Sequence, residues 1–436
     1  MSHLLTAWSS LRGQRTDAHV LMATRVVRSF GDGFVSLVLA RYLVELDFSG
    51  LQIGLVATAT LLGTSVATLL VGALADRLGR RRVLLAAAVL MCGTGVGFAT
   101  SSQFVPLLLI ALVGTLNPTA GDVSVFLPVE QAILPQTVSD RQRTALFARY
   151  NLGGALAAAC GALFAGVPGL LEHAFGWPTL DILRGMFLLY AAFAVLVAML
   201  YSRLSPQAEV AAPSASRVPL GRSRAVVFQL SALFAVDAFA GGLVVQSLLA
   251  FWLFERFGLS LGQAGAIFFA AGTAAAFSYL VAAWVAERIG LVNTMVFTHL
   301  PSNVLLALVP LMPTAWLAVA FLIARYGLSQ MDVPTRQSYV MAVVDPEERA
   351  AAASVTGVSR ALASATSPAL SGFLLGLTTF GIPLLLAGAL KSLYDFALLA
   401  RFRALRPPEE RPTVASGTPA LQATGDKGAE DVGQRA

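Results

Sequence analysis

Charged side chains are scarce in this sequence, and their scarcity excludes a water-soluble globular protein. Only 12% of the 436 residues are charged, whereas 56% are hydrophobic. Soluble domains carry about 25% charged residues, so the outer surface of this chain must be covered by lipid. We therefore predict a membrane-embedded protein.

Cysteine and histidine are also rare, which argues against a disulfide framework and a metal centre. The two cysteines, Cys92 and Cys160, lie inside apolar runs and are interpreted as unpaired core residues. The four histidines are dispersed, without the spacing of a metal site, and no glycine-rich phosphate-binding loop is present. The sequence predicts no catalytic residue, no metal, no cofactor, no enzyme and no ATP-driven transport.

Lysine is nearly absent, so arginine carries most of the net charge of +6. The arginines lie in short joins between apolar runs, not in a basic stripe with aromatic residues, which argues against nucleic-acid binding. Alternate joins are basic, whereas most of the others carry acids such as Glu45 and Asp47. By the positive-inside rule, both termini are predicted to be cytoplasmic.

Long apolar runs predict twelve membrane-spanning helices in two sets of six. They cover residues 21–44, 52–75, 82–100, 104–134, 144–167, 182–203, 225–254, 262–286, 291–311, 315–343, 350–376 and 382–402. The predicted organisation is a cytoplasmic N-terminal segment and a six-helix bundle, then a cytoplasmic linker, a second bundle and a disordered cytoplasmic tail. Their respective bounds are 1–20, 21–203, 204–224, 225–402 and 403–436.

The two halves of the sequence repeat each other. Residues 51–79 align without gaps to 262–290, so that Gln52 matches Gln263 and Gly79 matches Gly290. An acid followed by arginine stands at the same place in both segments. A weaker match joins residues 121–123 to 331–333, and together these matches predict an internal repeat.

The join between spans 2 and 3, "GALADRLGRRRVL" at 72–84, resembles the signature loop of the major facilitator superfamily. Its principal positions are filled by Gly72, Leu74, Asp76, Arg77, Gly79, Arg80, Arg81 and Leu84. Glu287, Arg288 and Gly290 stand where that family repeats the motif. The resemblance implies an all-α membrane protein with twelve transmembrane helices in two pseudo-symmetric six-helix bundles, working by alternating access.

Each residue type in this loop has a physical reason. Gly72 lets a neighbouring helix approach closely, and Gly79 lets the backbone reverse. Asp76 can accept hydrogen bonds from the N–H groups at the start of a helix. The resemblance implies that Asp76 docks near residues 351–360 of span 11, and Glu130 is a candidate partner for a loop arginine. The alternative is a basic loop that only sets topology.

Several charged residues fall inside predicted spans, where each is costly unless it faces a cavity or a partner. Arg28 and Asp32 are four residues apart on span 1 and share one helix face. They form either a structural ion pair or a coupling site in which Asp32 takes up a proton. Members of the resembled family often keep a proton-coupling acid in this helix.

The other intramembrane acids are Asp122 in span 4, Asp332 in span 10 and Asp237 in span 7. Asp332 is four residues from Arg336, which predicts a structural or gating ion pair, with substrate contact as the alternative. Asp122 and Asp237 are candidates for proton coupling, and Asp237 has no partner on its own helix. Arg28, Phe34 and Gln246 are further candidates for lining a substrate cavity. Arg149, Arg360 and Lys391 are interpreted as snorkelling residues near helix ends.

The resemblance implies a monomeric secondary transporter in a bacterial inner membrane that carries a small-molecule substrate, with protons as the coupling ion and lipids around it. Its general character is that of drug/proton antiporter-like permeases, so proton-coupled efflux of a small organic compound is the expected function. However, span 4 lacks the basic residue of that group, and "NLGGALAAACGALFAG" in span 5 lacks its proline. Proton-coupled uptake of a metabolite and a non-transporting receptor or scaffold are the alternatives.

Overall fold

The structure is a computed structural model that describes residues 2–119, 124–138, 140–209 and 220–403. Within these ranges it does not describe the side chains of 2–15, 76, 140–142, 144, 145, 279, 280, 283, 346 and 350. The described residues form α-helices and short 3-10 turns, without a strand. Neither cysteine is the buried core residue that the sequence predicts, because Cys92 is half-buried and Cys160 is exposed.

The described residues of the first half form eight α-helices. They are α1 Ser2–Glu45, α2 Gly50–Leu78, α3 Arg80–Thr100, α4 Phe104–Val113, α5 Leu127–Ile133, α6 Asp140–Phe164, α7 Val167–Phe175 and α8 Thr179–Tyr201. A 3-10 turn, Pro206–Glu209, follows in the linker. The segment predicted to precede span 1 belongs to the same helix as span 1, because α1 begins at Ser2.

Eight more α-helices lie in the part of the second half that the structure describes. They are α9 Arg224–Gly242, α10 Gln246–Phe257, α11 Leu261–Ile289, α12 Leu291–Leu308, α13 Ala315–Ser329, α14 Asp332–Val343, α15 Arg349–Leu377 and α16 Ile382–Phe402. By length and composition alone, eight of the described segments are long and apolar enough to cross a membrane.

Three predicted spans are broken where the sequence predicts continuous helices. Span 4 divides into α4 and α5, span 7 into α9 and α10, and span 10 into α13 and α14. The helix of span 4 ends where Gly114 adopts an extended backbone, and span 7 breaks after Gly242. The two breaks meet, because the Ser247 amide donates to the Pro118 carbonyl at 3.1 Å. Backbone groups freed inside the membrane thus partner each other.

The internal repeat is visible in the helix ends. Helices α2 and α11 each span 29 residues and begin with a capping box, formed by Ser49 with Gln52 and by Ser260 with Gln263. Each helix ends at a glycine, Gly79 or Gly290, with φ of 92° and 86°. Only glycine adopts such angles readily, so both chain reversals use the same local chemistry.

The two halves pack closely at one end of the molecule. We call the end that holds the helix termini near residues 78–80, 201–209, 289–291 and 343–349 the arginine-rich face, and the other end the opposite face. Toward the opposite face, a Cβ on Gly372 would lie 2.2 Å from the Gly50 carbonyl oxygen. A Cβ on Gly265 would lie 2.5 Å from the Ala162 oxygen. Helix α2 therefore touches α15, and α6 touches α11, at backbone distance.

The halves are apart toward the arginine-rich face. Among the described atoms, none lies within 4 Å of a Cβ built on Gly72 in α2 or on Gly357 in α15. The close approach predicted at Gly72 is therefore wrong for this conformation, and the close approaches occur at Gly50, Gly54 and Gly372 instead. The molecule is closed at the opposite face and open between the bundles at the arginine-rich face.

Candidate functional site

A buried polar cluster in the first half centres on Glu130 of α5, whose side chain is fully buried. Its carboxylate accepts hydrogen bonds from Arg28, from Thr24 at 3.0 Å, and from the hydroxyls of Tyr150 and Tyr201. Four helices meet at this carboxylate. Arg28 also lies over the Phe126 ring at 4.2 Å, so the guanidinium is held on two sides.

This cluster corrects two predictions. Arg28 forms its ion pair with Glu130, and no described contact within 4 Å joins its guanidinium to the Asp32 carboxylate. Likewise, Glu130 is bound by Arg28 of span 1 and not by an arginine of the signature loop. Glu130 lies on the buried side of α5, the short helix that follows the break in span 4.

Asp32 lies half-buried on α1 between the glycines Gly31 and Gly33. A hydrogen bond from the Tyr190 hydroxyl at 3.4 Å reaches its carboxylate. Among the described residues, no cation lies within ion-pair distance of it. One turn further along, Ser36 accepts a 3.0 Å hydrogen bond from Gln246 of α10. Asp32 therefore lies close to the line along which the two halves meet.

A second cluster, the Asp237 cluster, lies inside the second half. Asp237 of α9 accepts from Lys391 Nζ at 2.6 Å and from an Nη1 of Arg360 at 3.0 Å and of Arg336 at 3.5 Å. Arg336 also binds Asp332 at 2.5 Å, as the i,i+4 spacing predicts. These five side chains come from α9, α14, α15 and α16, so four helices converge on one carboxylate.

The Asp237 cluster overturns two further expectations. Asp237 has no partner on its own helix, but it is not a lone acid, because three cations reach it from other helices. Lys391 and Arg360 do not snorkel toward the membrane surface, since both turn inward to the buried carboxylate. Sequence spacing could not show these contacts, because they join residues at least 99 positions apart.

A histidine extends the Asp237 cluster in a direction that the sequence did not indicate. His299 of α12 lies with Nε2 3.8 Å from Asp237 and with Nδ1 3.0 Å from Asp395 of α16. Asn303, one turn along α12, donates to Asp395 at 2.8 Å. Asp395 is an acid inside an apolar run, four residues after Lys391, and that spacing was an available signal. No metal-binding group is found among the described residues.

Phe34 does not line a cavity. Its ring is fully buried and packs edge-on against Phe30, Phe164 and Phe193 at centroid distances of 6.0, 5.8 and 6.2 Å. The prediction that Phe34 contacts substrate is therefore wrong in this conformation, and the ring is part of the core. Asp122 lies outside the described residues, so its role stays a prediction.

The signature loop is held by the linker. Glu209 accepts from the amides of Arg80 at 2.7 Å and Arg81 at 3.1 Å, which are the first residues of α3. A carboxylate at a helix start is favoured by the unpaired N–H groups and the helix dipole. The side chain of Asp76 is outside the described atoms, so its docking on span 11 stays a prediction. Arg77 is exposed in this conformation.

The repeated loop and a second helix start show related chemistry. Glu287 and Arg288 are exposed, and the Arg288 guanidinium lies 3.8 Å from the Trp284 ring centroid. Glu348 accepts from the amides of residues 221, 222 and 223, each at 3.0 Å, at the start of α9. Desolvation acts to raise the pKa of Glu348, but the hydrogen bonds, led by that of Ser223, hold the pKa below its ordinary value.

Comparison with known proteins agrees with this architecture. The family model described as Major Facilitator Superfamily matches residues 21–368 and again 230–425. An uncharacterized membrane protein of Saccharomyces cerevisiae is 24% identical over 420 residues, which cover 88% of this chain and 94% of that protein.

Solved structures share the fold at low sequence identity. The nucleoside transporter NupG has a TM-score of 0.68 at 16% identity, with 89% of this chain and 99% of that chain covered. An inward-facing, occupied bacterial homolog of the human lysosomal transporter Spinster has a TM-score of 0.70 at 14% identity, covering 89% and 97%. The inward-open xylose transporter XylE from E. coli has a TM-score of 0.67 at 15% identity, covering 87% and 95%. The predicted fold class and family resemblance are confirmed.

Proposed function

The chain belongs to the Major Facilitator Superfamily and is a transporter of the alternating-access kind, and we propose that it couples export of a small organic compound to proton entry. In this proposal the two bundles rock about a central site, and protonation of Asp32 biases the equilibrium between the two open states. Asp122 and Asp237 are the other candidates for the proton site.

The environment of Asp32 carries this proposal. The carboxylate is half-buried inside a membrane helix, yet its described partner is a neutral tyrosine hydroxyl. A carboxylate that is partly buried and has no cation within ion-pair distance is stabilised by taking up a proton. Asp237 contrasts with it, because three cations already compensate its charge. We therefore assign proton uptake to Asp32 and assign Asp237 to a charge network.

The distribution of arginines supports the proposed orientation. Arginine is concentrated in the joins at the arginine-rich face, and the positive-inside rule places such joins in the cytoplasm. The proposal thus has both termini in the cytoplasm of a bacterial cell, with the chain in the inner membrane. In that orientation the structure is the inward-open state, since the gap between α2 and α15 is at the arginine-rich face.

Asp32→Asn tests the coupling role in proteoliposomes with an imposed pH gradient and an entrapped pH-sensitive dye. We expect the wild-type protein to move protons when a transported compound is added. We expect Asp32→Asn to lose gradient-driven accumulation while keeping ligand binding, measured by thermal shift, because only the proton site is removed. Asp181→Asn, whose carboxylate is 63% exposed, is the matched control.

Three outcomes would count against parts of the proposal. If Asp32→Asn keeps pH-dependent transport, the coupling role moves to Asp122 or Asp237. Coupled export requires the compound to accumulate in the compartment that protons leave. If the compound instead accumulates in the compartment that protons enter, the protein works by symport and carries out uptake. If wild-type protein moves neither solute nor protons, the chain is a receptor or scaffold on this fold.

A further inference from the structure

Three cations share two carboxylates at the centre of the Asp237 cluster. Asp237 and Asp332 provide two carboxylates, and Lys391, Arg336 and Arg360 provide three cations within ion-pair distance of them. The remaining acid, Asp395, is on the far side of His299 and takes its hydrogen bonds from His299 and Asn303. Within ion-pair distance, three cations therefore share the two carboxylates of Asp237 and Asp332, whereas Asp395 balances the charge of the whole cluster from beyond His299.

Arg360 is the accessible member of this cluster. Its side chain is 31% exposed, compared with 9% for both Lys391 and Arg336 and 4% for Asp237. Open space lies beside it, because no described atom is within 4 Å of a Cβ on Gly357, almost one turn earlier on α15. The guanidinium that shares its carboxylate with two other cations is thus also the exposed one.

The depth of Arg360 argues against a role at the membrane surface. It is eleven residues along α15 from Arg349, which is about 17 Å at 1.5 Å per residue. Its guanidinium points inward to a carboxylate that is 4% exposed. An arginine at this depth is costly unless its charge is compensated, and Asp237 compensates it only in part, since Lys391 and Arg336 share the same carboxylate.

We propose that Arg360, with Lys391 behind it, binds the carboxylate of a small organic anion, and that such anions are the substrate class. This inference rests on the proposed transport of a small organic compound. A guanidinium offers two parallel N–H donors that match a carboxylate. In the empty state Asp237 is the shared partner of all three cations, and an incoming carboxylate would give Arg360 a partner of its own. The empty site is therefore assembled around an internal anion before the substrate arrives.

The binding test uses the full chain purified in detergent and three matched probe pairs. The probes are benzoate, phenylacetate and octanoate, each compared with its neutral amide. We expect at least one carboxylate to bind with a Kd at least about tenfold lower than that of its amide. A tenfold change corresponds to ~1.4 kcal/mol, about the contribution of one charge-assisted hydrogen bond.

Variants assign the preference to Arg360. Arg360→Gln should remove the preference for carboxylate over amide, and Arg360→Lys should retain only part of it, because the ammonium keeps the charge but not the paired donors. Arg41→Gln, which removes a 36% exposed arginine paired with Glu45, should leave it unchanged. If Arg360→Gln does not fold, Arg360→Lys decides the result.

The proposal is overturned if no carboxylate binds, if acids and amides bind equally, or if Arg360→Lys binds every probe like the wild type. The Asp237 cluster is then a structural ion network. These failures are separate from failure of proton coupling. If carboxylates are not preferred but a neutral compound is still transported by the pH gradient, only the proposed substrate class is wrong. If carboxylates are preferred but no proton flux is measured, only the proposed proton coupling is wrong.

Discussion

Individual buried carboxylates in this protein differ in how their charge is compensated. Glu130 is bound by one guanidinium and three hydroxyls, and Asp237 is shared by three cations. Asp32 has only a tyrosine hydroxyl among its described partners. A compensated acid stabilises the fold, whereas an uncompensated acid is able to bind a proton. This difference separates the acids expected to stay ionised from the acid proposed to take up a proton more clearly than their positions in the sequence.

Glu130→Gln should destabilise the protein strongly. The variant leaves the Arg28 guanidinium buried at 2% exposure without its counter-charge, and removing one partner of a buried pair costs about 3–5 kcal/mol. Glu45→Gln breaks the exposed Arg41–Glu45 pair and should cost at most about 0.5 kcal/mol. Unfolding titrations in mixed micelles measure both, and similar losses in the two variants would contradict the role given to Glu130.

Helix ends at the arginine-rich face are joined to distant segments by carboxylates. Glu209 of the linker binds the start of α3, and Glu348 of the α14–α15 join binds the start of α9. The helix starts that follow Gly79 and Ser223 thus gain acceptors that their own sequences do not supply. Each contact fixes how one helix emerges from the membrane relative to another element.

Glu348→Gln should lower the melting temperature in a pH-dependent way. Because the pKa of Glu348 is lowered in the folded protein, its ionised form contributes stability above the ordinary glutamate pKa of about 4.3. That contribution is lost as the pH falls through the lowered folded-state pKa. We expect the difference between wild type and variant to be constant near neutral pH and to vanish in acid. Glu255→Gln, at an exposed position of α10, is the control, and a difference that grows on acidification would contradict the assignment.

The sequence predicts the helical elements better than it predicts their interruptions and partners. Apolar run length locates the spans, and a fixed offset between the halves locates the repeated capping boxes and glycine turns. Breaks in spans 4, 7 and 10 are missed because the length of an apolar run does not show where its helix is interrupted, although Asn117 and Pro118 in span 4 are helix-weakening residues. At spans 4 and 7, freed backbone groups of the two breaks partner each other. The partners of Asp237 are missed because four helices must pack before those charges meet.

At the scale of the whole molecule, the two bundles meet through glycine-rich surfaces at one face and separate at the other. Gly50, Gly54 and Gly372 bring α2 and α15 into backbone contact at the opposite face, while Gly72 and Gly357 face open space. Alternating access requires the bundles to separate at one face and to meet at the other. We expect Gly72 and Gly357, which have no described neighbour within 4 Å of a Cβ, to provide surfaces at which the arginine-rich face can close. The predicted docking of Asp76 near residues 351–360 belongs to that second state.

The most direct test of this account is a pair of spin-label distance measurements by electron–electron double resonance, in a background without Cys92 and Cys160. One pair of labels, at Leu78 and Ala353, reports on the arginine-rich face, and the other, at Leu51 and Leu377, reports on the opposite face. All four positions are exposed. We predict two populations of label-to-label distance at each face, and the distance is long at one face when it is short at the other. Asp76→Asn should reduce the population in which the arginine-rich face is closed. A single distance at both faces, unchanged by pH and by Asp76→Asn, would contradict the account.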